Sequence, residues 1–169
     1  RMREGVAASQ ETVRIRRRLT RYDYDAHASG LAQALCRLAV DLSASGELRD
    51  ALASAQESVD LYRRLRRDDP FDDETGLAQA LATLACCLSE SGRPSAAFVT
   101  AQQALTVRRR LVRADPDVHT RRLAADLARL APRLRTVGYV DEALELAWEA
   151  VGLYRHLDEE EIGSCTGDL

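Results

Sequence analysis

The sixteen residues LAQALCRLAVDLSASG at 31–46 return 46 positions later as LAQALATLACCLSESG at 77–92, with 11 of the 16 unchanged. A segment rewritten at a fixed step predicts a repeated unit whose apolar face is covered by the next copy, so a stack of equivalent units is the architecture to test first. The step holds beyond the two strings. Leu31, Leu77 and Leu123 form one column, and Leu35, Leu81 and Leu127 another. Leu38, Leu84 and Leu130, then Leu42, Leu88 and Leu134, then Gly46, Gly92 and Gly138, complete five columns without a miss. Ala51, Ala97 and Ala143, and Ala55, Ala101 and Ala147, extend the series. Stepping backwards from Leu65 reaches Leu19 and from Val59 reaches Val13, so the chain opens with the second half of a unit.

Inside each unit the leucines recur at i, i+4, i+7 and i+11, one stripe of a helix with 3.6 residues per turn. The three glycines end that helix, since glycine takes the left-handed backbone past a helix C-terminus without a Cβ penalty. A second helix follows, with Ala51, Leu52, Ala55, Val59, Tyr62 and Leu65 as its apolar stripe. Alanine at the crossing points lets helix axes approach closely. DDP at 68–70 and ADP at 114–116 mark the unit boundaries: Asp69 and Asp115 suit caps, and Pro70 and Pro116 suit a first turn that needs no N–H. Seven helices are expected, at about 4–21, 24–45, 47–67, 70–91, 93–113, 116–137 and 139–158. Gly30 and Gly76 then fall inside helices, at about 1 kcal/mol each. The predicted class is all-α, an α-solenoid of antiparallel helix pairs. A half repeat at 1–22 precedes full repeats at 23–68, 69–114 and 115–160, which form a single domain over 1–160, and 161–169 is a flexible tail.

Composition narrows the function. Hydrophobic residues make up 46% of the 169, enough for a core, whereas aromatics make up only 5%, which disfavours a β-sandwich. The net charge of −3 argues against a nucleic-acid partner, whose phosphates call for a basic surface. No apolar run reaches the roughly 18 residues that cross a bilayer, so a soluble, cytoplasmic chain is expected. Cys36, Cys86, Cys87 and Cys165 show no CxxC spacing and read as small apolar filler in a reduced compartment; neither a metal site nor a cofactor is expected. No glycine-rich phosphate loop, HExxH or GxSxG is present, and His27, His119 and His156 are scattered, so no catalytic residue is assigned.

Leu35, Leu38, Ala39, Leu42, Gly46, Ala51 and Ser58, with Leu81, Leu84, Ala85, Leu88, Gly92, Ala97 and Ala104, resemble the tetratricopeptide repeat. The third unit matches through Leu127, Leu130, Ala131, Leu134, Gly138, Ala143 and Ala150. The period departs from that family's usual 34 residues. The longer unit is similar to the kinesin light chain variety and to the C-terminal repeats of bacterial signalling proteins with an upstream nucleotide-binding domain, which ESVDLYRRL at 57–65 and EAVGLYRHL at 149–157 also resemble. The resemblance implies a right-handed superhelix whose concave face, lined by the first helix of each pair, holds a peptide or a partner surface. Carried over position by position, it places Gln33, Arg37 and Val40, then Gln79, Thr83 and Cys86, then Arg129 and Arg133 at that groove, with Cys36, Ala82 and Pro132 beside them. The groove that clamps a terminal carboxylate in this family relies on lysine and asparagine. This chain contains neither, so that ligand is rejected.

RIRRRLTR at 14–21, RRLRR at 63–67 and RRRLVR at 108–113 end second helices, where cations complement the macrodipole. The competing expectation is an arginine ridge facing an acidic or phosphorylated partner. YRHLDEEE at 154–161 breaks the pattern, and its carboxylates predict fraying after Leu157. Pro132 predicts a local bend in the third unit's first helix. A non-catalytic module that binds a protein or peptide, within a larger bacterial signalling protein, is the function expected. The alternative is self-association through exposed repeat ends, oligomerising an upstream effector or NTPase domain.

Overall fold

The computed structural model describes residues 2–68 and 73–166. They form seven helices and, among the described residues, no strand: α1 Met2–Tyr22, α2 Tyr24–Ser45, α3 Leu48–Asp68, α4 Glu74–Glu90, α5 Pro94–Ala114, α6 Pro116–Thr136 and α7 Val140–Thr166. The helices follow one another as an α-solenoid, each packed on its neighbours in sequence.

Gly46, Gly92 and Gly138 all take positive φ, at 86°, 69° and 100°, as the glycine column predicts. Asp23 caps α2 by accepting from the Ala26 N–H at 3.0 Å. Asp115 caps α6 through the Val118 N–H, with Pro116 in the first turn. The expected cap Asp69 and first-turn Pro70 lie outside the described residues. Helix α4 starts at Glu74, later than the expected residue 70, and its cap is Asp73, which accepts from the Gly76 N–H at 3.0 Å. Gly76 therefore sits in the first turn of a shorter helix. Helix α7 runs to Thr166, past the fraying expected after Leu157. Exposed carboxylates at a C-terminus cost only about 0.3–1 kcal/mol, and glutamate is a good helix former.

The even-numbered helices approach one another: α2 lies beside α4, and α4 beside α6. Among the described residues, the odd-numbered helices do not come backbone to backbone. A row that closes up while its partner row opens sets the inside of a curve, so α2, α4 and α6 form the inner face. Small side chains allow the close approach: the Cys36 thiol donates to Thr83 Oγ1 at 3.3 Å across α2 and α4. The outer row is spanned by long side chains instead. Arg17 pairs with Glu57 at 2.5 Å, Arg63 donates to Gln103 at 3.2 Å, and Arg109 pairs with Glu149 at 2.5 Å. Both members of this ladder step by 46 residues.

The core runs along the stack. Leu35, Leu42, Val59, Leu127 and Leu130 are fully buried, and Ala51, Ala55, Ala97 and Ala101 fill the helix crossings. Two close approaches explain the internal glycines. A Cβ on Gly76 would overlap Cε1 and Cζ of Tyr62, and one on Gly30 would meet Arg16 Nη1. Arg16 and Tyr62 are 46 residues apart, and the next residue in that column, Arg108, is 1% exposed and donates to Asp126 Oδ2 at 2.9 Å.

Candidate functional site

The inner face carries a cavity of about 470 Å³ between α2, α4 and the start of α6. Gln33, Arg37 and Val40 enter it from α2, and Gln79 from α4. They do so because these positions lie on the side of the first helices that turns away from the buried leucine stripe. Val40 is 43% exposed, an apolar side chain held in solvent beside the cavity. Four of the eight residues placed at the groove from sequence therefore share one depression.

The other four do not enter it. Thr83 is 1% exposed and Cys86 7% exposed, both buried in the face, because small side chains at these positions are what let the inner helices close up. Thr83 lies just under the cavity, within 3.5 Å of Gln79 Nε2. Arg129 and Arg133 belong to a second cluster farther along. Arg129 pairs with Asp126 at 3.2 Å, and Arg133 pairs with Glu90 at 3.0 Å. Ser43 also donates to Glu90, so this carboxylate ties all three inner helices together.

Ser29, Asp73, Thr75 and Arg122 complete the cavity, with Cys36 and Tyr62 at its wall. The resemblance points to Cys36, and for the others the sequence carried one signal: Ser29 and Thr75 are 46 residues apart and are both hydroxyl residues. Asp73 gave none, since its equivalents are His27 and His119. Ser29 donates to Asp73 Oδ2 at 2.5 Å, which fixes the carboxylate at the rim. Arg37 is held by Asp41 at 3.2 Å, whereas Arg122 is exposed at the opposite rim. Burial pushes the Cys36 thiol up, against the smaller opposing effect of the Thr83 contact, so it stays protonated at neutral pH. Burial raises Tyr62 as well, with the nearby Asp73 acting in the same direction. The wall thus offers neutral hydrogen-bonding groups rather than a nucleophile. Among the described residues no group of three metal-ligating side chains occurs. No described helix is long and apolar enough to cross a membrane.

The arginine runs are largely committed within the chain. Beside the outer ladder, Arg66 and Arg110 both reach Glu74, and Arg14 reaches Glu11. They do more than complement helix dipoles, since Arg66 and the ladder arginines couple one unit to the next, while Arg14 and Arg110 pair within their own units.

Helices α2 and α3 form one complete unit, with the glycine turn at Gly46 and alanines Ala51 and Ala55 buried where the two helices meet. Residues 31–71 match a tetratricopeptide repeat. No curated protein sequence matches the chain. Among solved structures, BtubC (BKLC) from P. vanneervenii superposes over 93% of this chain with a TM-score of 0.67 and 20% identity. The chain spans 58% of the length of that neighbour, and at this identity the likeness shows the fold alone. Tetratricopeptide repeats generally mediate contacts between proteins and are typically non-catalytic.

Proposed function

We propose that the chain is a non-catalytic module that binds a protein segment along the face formed by α2, α4 and α6. The observation that carries this is the convergence of Gln33, Arg37, Val40 and Gln79 on one cavity of about 470 Å³. Two glutamine amides suit the N–H and C=O groups of a polypeptide backbone. Val40 offers an apolar contact, and Asp73 with Arg122 supplies one charge of each sign at the rims. Thr83 and Cys86 support the surface from below, and Arg129 and Arg133 extend it towards α6. The 46-residue step is read as the long-period variety of the repeat, within a bacterial, cytoplasmic signalling protein, with residues 1–160 as a single interaction unit.

Panning a random-peptide phage library tests the proposal. Peptides enriched on the wild-type chain should bind a Val40→Asp, Gln79→Arg double variant at least about tenfold more weakly, equivalent to about 1.4 kcal/mol. Enriched peptides that bind both chains equally would show that the inner face is not the binding surface.

A further inference from the structure

The final helix carries an apolar stripe that no described residue covers. Ala147, Val151 and Tyr154 occupy the positions of Ala55, Val59 and Tyr62 on α3 and of Ala101, Leu105 and Arg108 on α5. Those six are at most 4% exposed, because α4 packs on α3 and α6 on α5. On α7 the same positions open outwards, with Val151 41% and Tyr154 36% exposed, and Val140 and Leu144 extend the stripe at 57% and 55%. Between this stripe and α6 lies an almost wholly apolar trough of about 480 Å³, lined also by Pro132 and Arg135.

We propose that this face is a two-fold interface with a second copy of the chain, in which the two α7 helices lie antiparallel. Val140, Leu144, Ala147, Val151 and Tyr154 alternate steps of four and three residues, the spacing that keeps one seam facing a partner helix. Asp158 continues the seam, eighteen residues and five full turns beyond Val140. The seam is symmetric about residue 149: Val140 with Asp158, Leu144 with Tyr154, and Ala147 with Val151 share that midpoint. An antiparallel two-fold therefore sets Leu144 of each copy against Tyr154 of the other, and the small Ala147 against Val151. Such an interface uses the same patch twice and closes on itself.

The charges select the same arrangement. Arg135 lies at one end of the trough, and Asp158 and Glu159 lie exposed towards the other. Antiparallel pairing brings Arg135 of each copy to the acidic end of its mate. It also sets Asp158 near the N-terminus of the opposing α7, where a carboxylate is favourable. Parallel pairing would instead place Asp158 beside Asp158.

Sedimentation velocity on the 169-residue chain, from about 1 µM to about 200 µM, tests this proposal. The expected mass rises towards twice the 18.7 kDa of one chain. Leu144→Glu, at an exposed position, should remain monomeric throughout with an unchanged circular dichroism spectrum. Arg135→Glu and Asp158→Arg should each weaken dimerisation at least about fivefold, and the double variant should recover to within about twofold of wild type. A wild-type chain that stays monomeric at the highest concentration would overturn the proposal and leave the face to another occupant. A double variant no tighter than the single variants would overturn the antiparallel pairing.

Discussion

Tyr62 of α3 lies over Gly76 of α4 so closely that a single added methyl would overlap its ring. The usual sign of a helix substitution is thereby reversed. Replacing a helix glycine with alanine ordinarily gains up to about 1 kcal/mol, less in a first turn, whereas overpacking against a buried ring costs about 1–3 kcal/mol. Urea denaturation should show Gly76→Ala destabilised by about that amount, and most of the loss should disappear in a Tyr62→Ala background, with the remainder coming from Asp73 Oδ1, 2.7 Å from the added methyl. Gly30→Ala meets only the end of Arg16, which can swing aside, so it should be neutral or stabilising by up to about 1 kcal/mol. Equal losses at both glycines would contradict the packing difference.

Arg108 and Asp126 form a buried pair, at 1% and 6% side-chain exposure, where the preceding unit places Tyr62 and Ala80. Removing one partner strands the other charge, so Asp126→Ala should cost about 3–5 kcal/mol in the same denaturation experiment. The triple change Arg108→Tyr, Arg122→Gly and Asp126→Ala copies the Tyr62, Gly76 and Ala80 arrangement into this unit. It should restore stability to at least the wild-type value, because apolar packing replaces a desolvated ion pair.

The outer ladder joining Arg17 to Glu57 and Arg109 to Glu149 is largely exposed, which limits its worth. Arg17→Ala and Arg109→Ala should each cost less than about 1 kcal/mol. Gln103→Glu supplies Arg63 with the carboxylate found at the equivalent positions and should gain a few tenths of a kcal/mol, about 0.3. Raising the salt to 1 M should erase that gain in a thermal melt.

Burial pushes the thiols of Cys36, Cys86 and Cys87 up, Cys87 to about 12 from an ordinary value of 9.0. In the unfolded chain these thiols lose their protons near that ordinary value, while the folded chain still holds them. The folded state then binds more protons, so stability is full below about pH 9 and falls as pH rises towards 12. Each thiol removes up to about 1.4 kcal/mol per pH unit in that window. Melting temperature recorded from pH 7 to pH 11 should fall above about pH 9, and less steeply in Cys87→Ala than in wild type.

The stack was legible because its constraints repeat. Leu35, Leu81 and Leu127 write the buried stripe, and Gly46, Gly92 and Gly138 write the turns, so each helix pair announces itself three times over. What breaks the repetition was harder to see. Asp73 replaces the expected start of α4, yet its equivalents are histidines, so no column pointed to it. Thr83 and Cys86 share a helix face with Gln79, and only the closeness of α2, α4 and α6 decides that they are buried while Gln79 is not. The ladder of Arg17, Arg63 and Arg109 was visible as three basic runs, but its partners Glu57, Gln103 and Glu149 lie 40 residues from them and needed the fold to bring them close.

Amide chemical-shift mapping of the labelled chain, titrated with a peptide selected on it, tests the binding face most directly. Perturbations should cluster at Ser29, Gln33, Arg37, Val40, Asp73, Thr75 and Gln79, and should vanish for the Val40→Asp, Gln79→Arg double variant. Shifts confined to the outer arginine ladder or to the α7 stripe, with the α2 and α4 face silent, would contradict the assignment of the inner face as the binding surface.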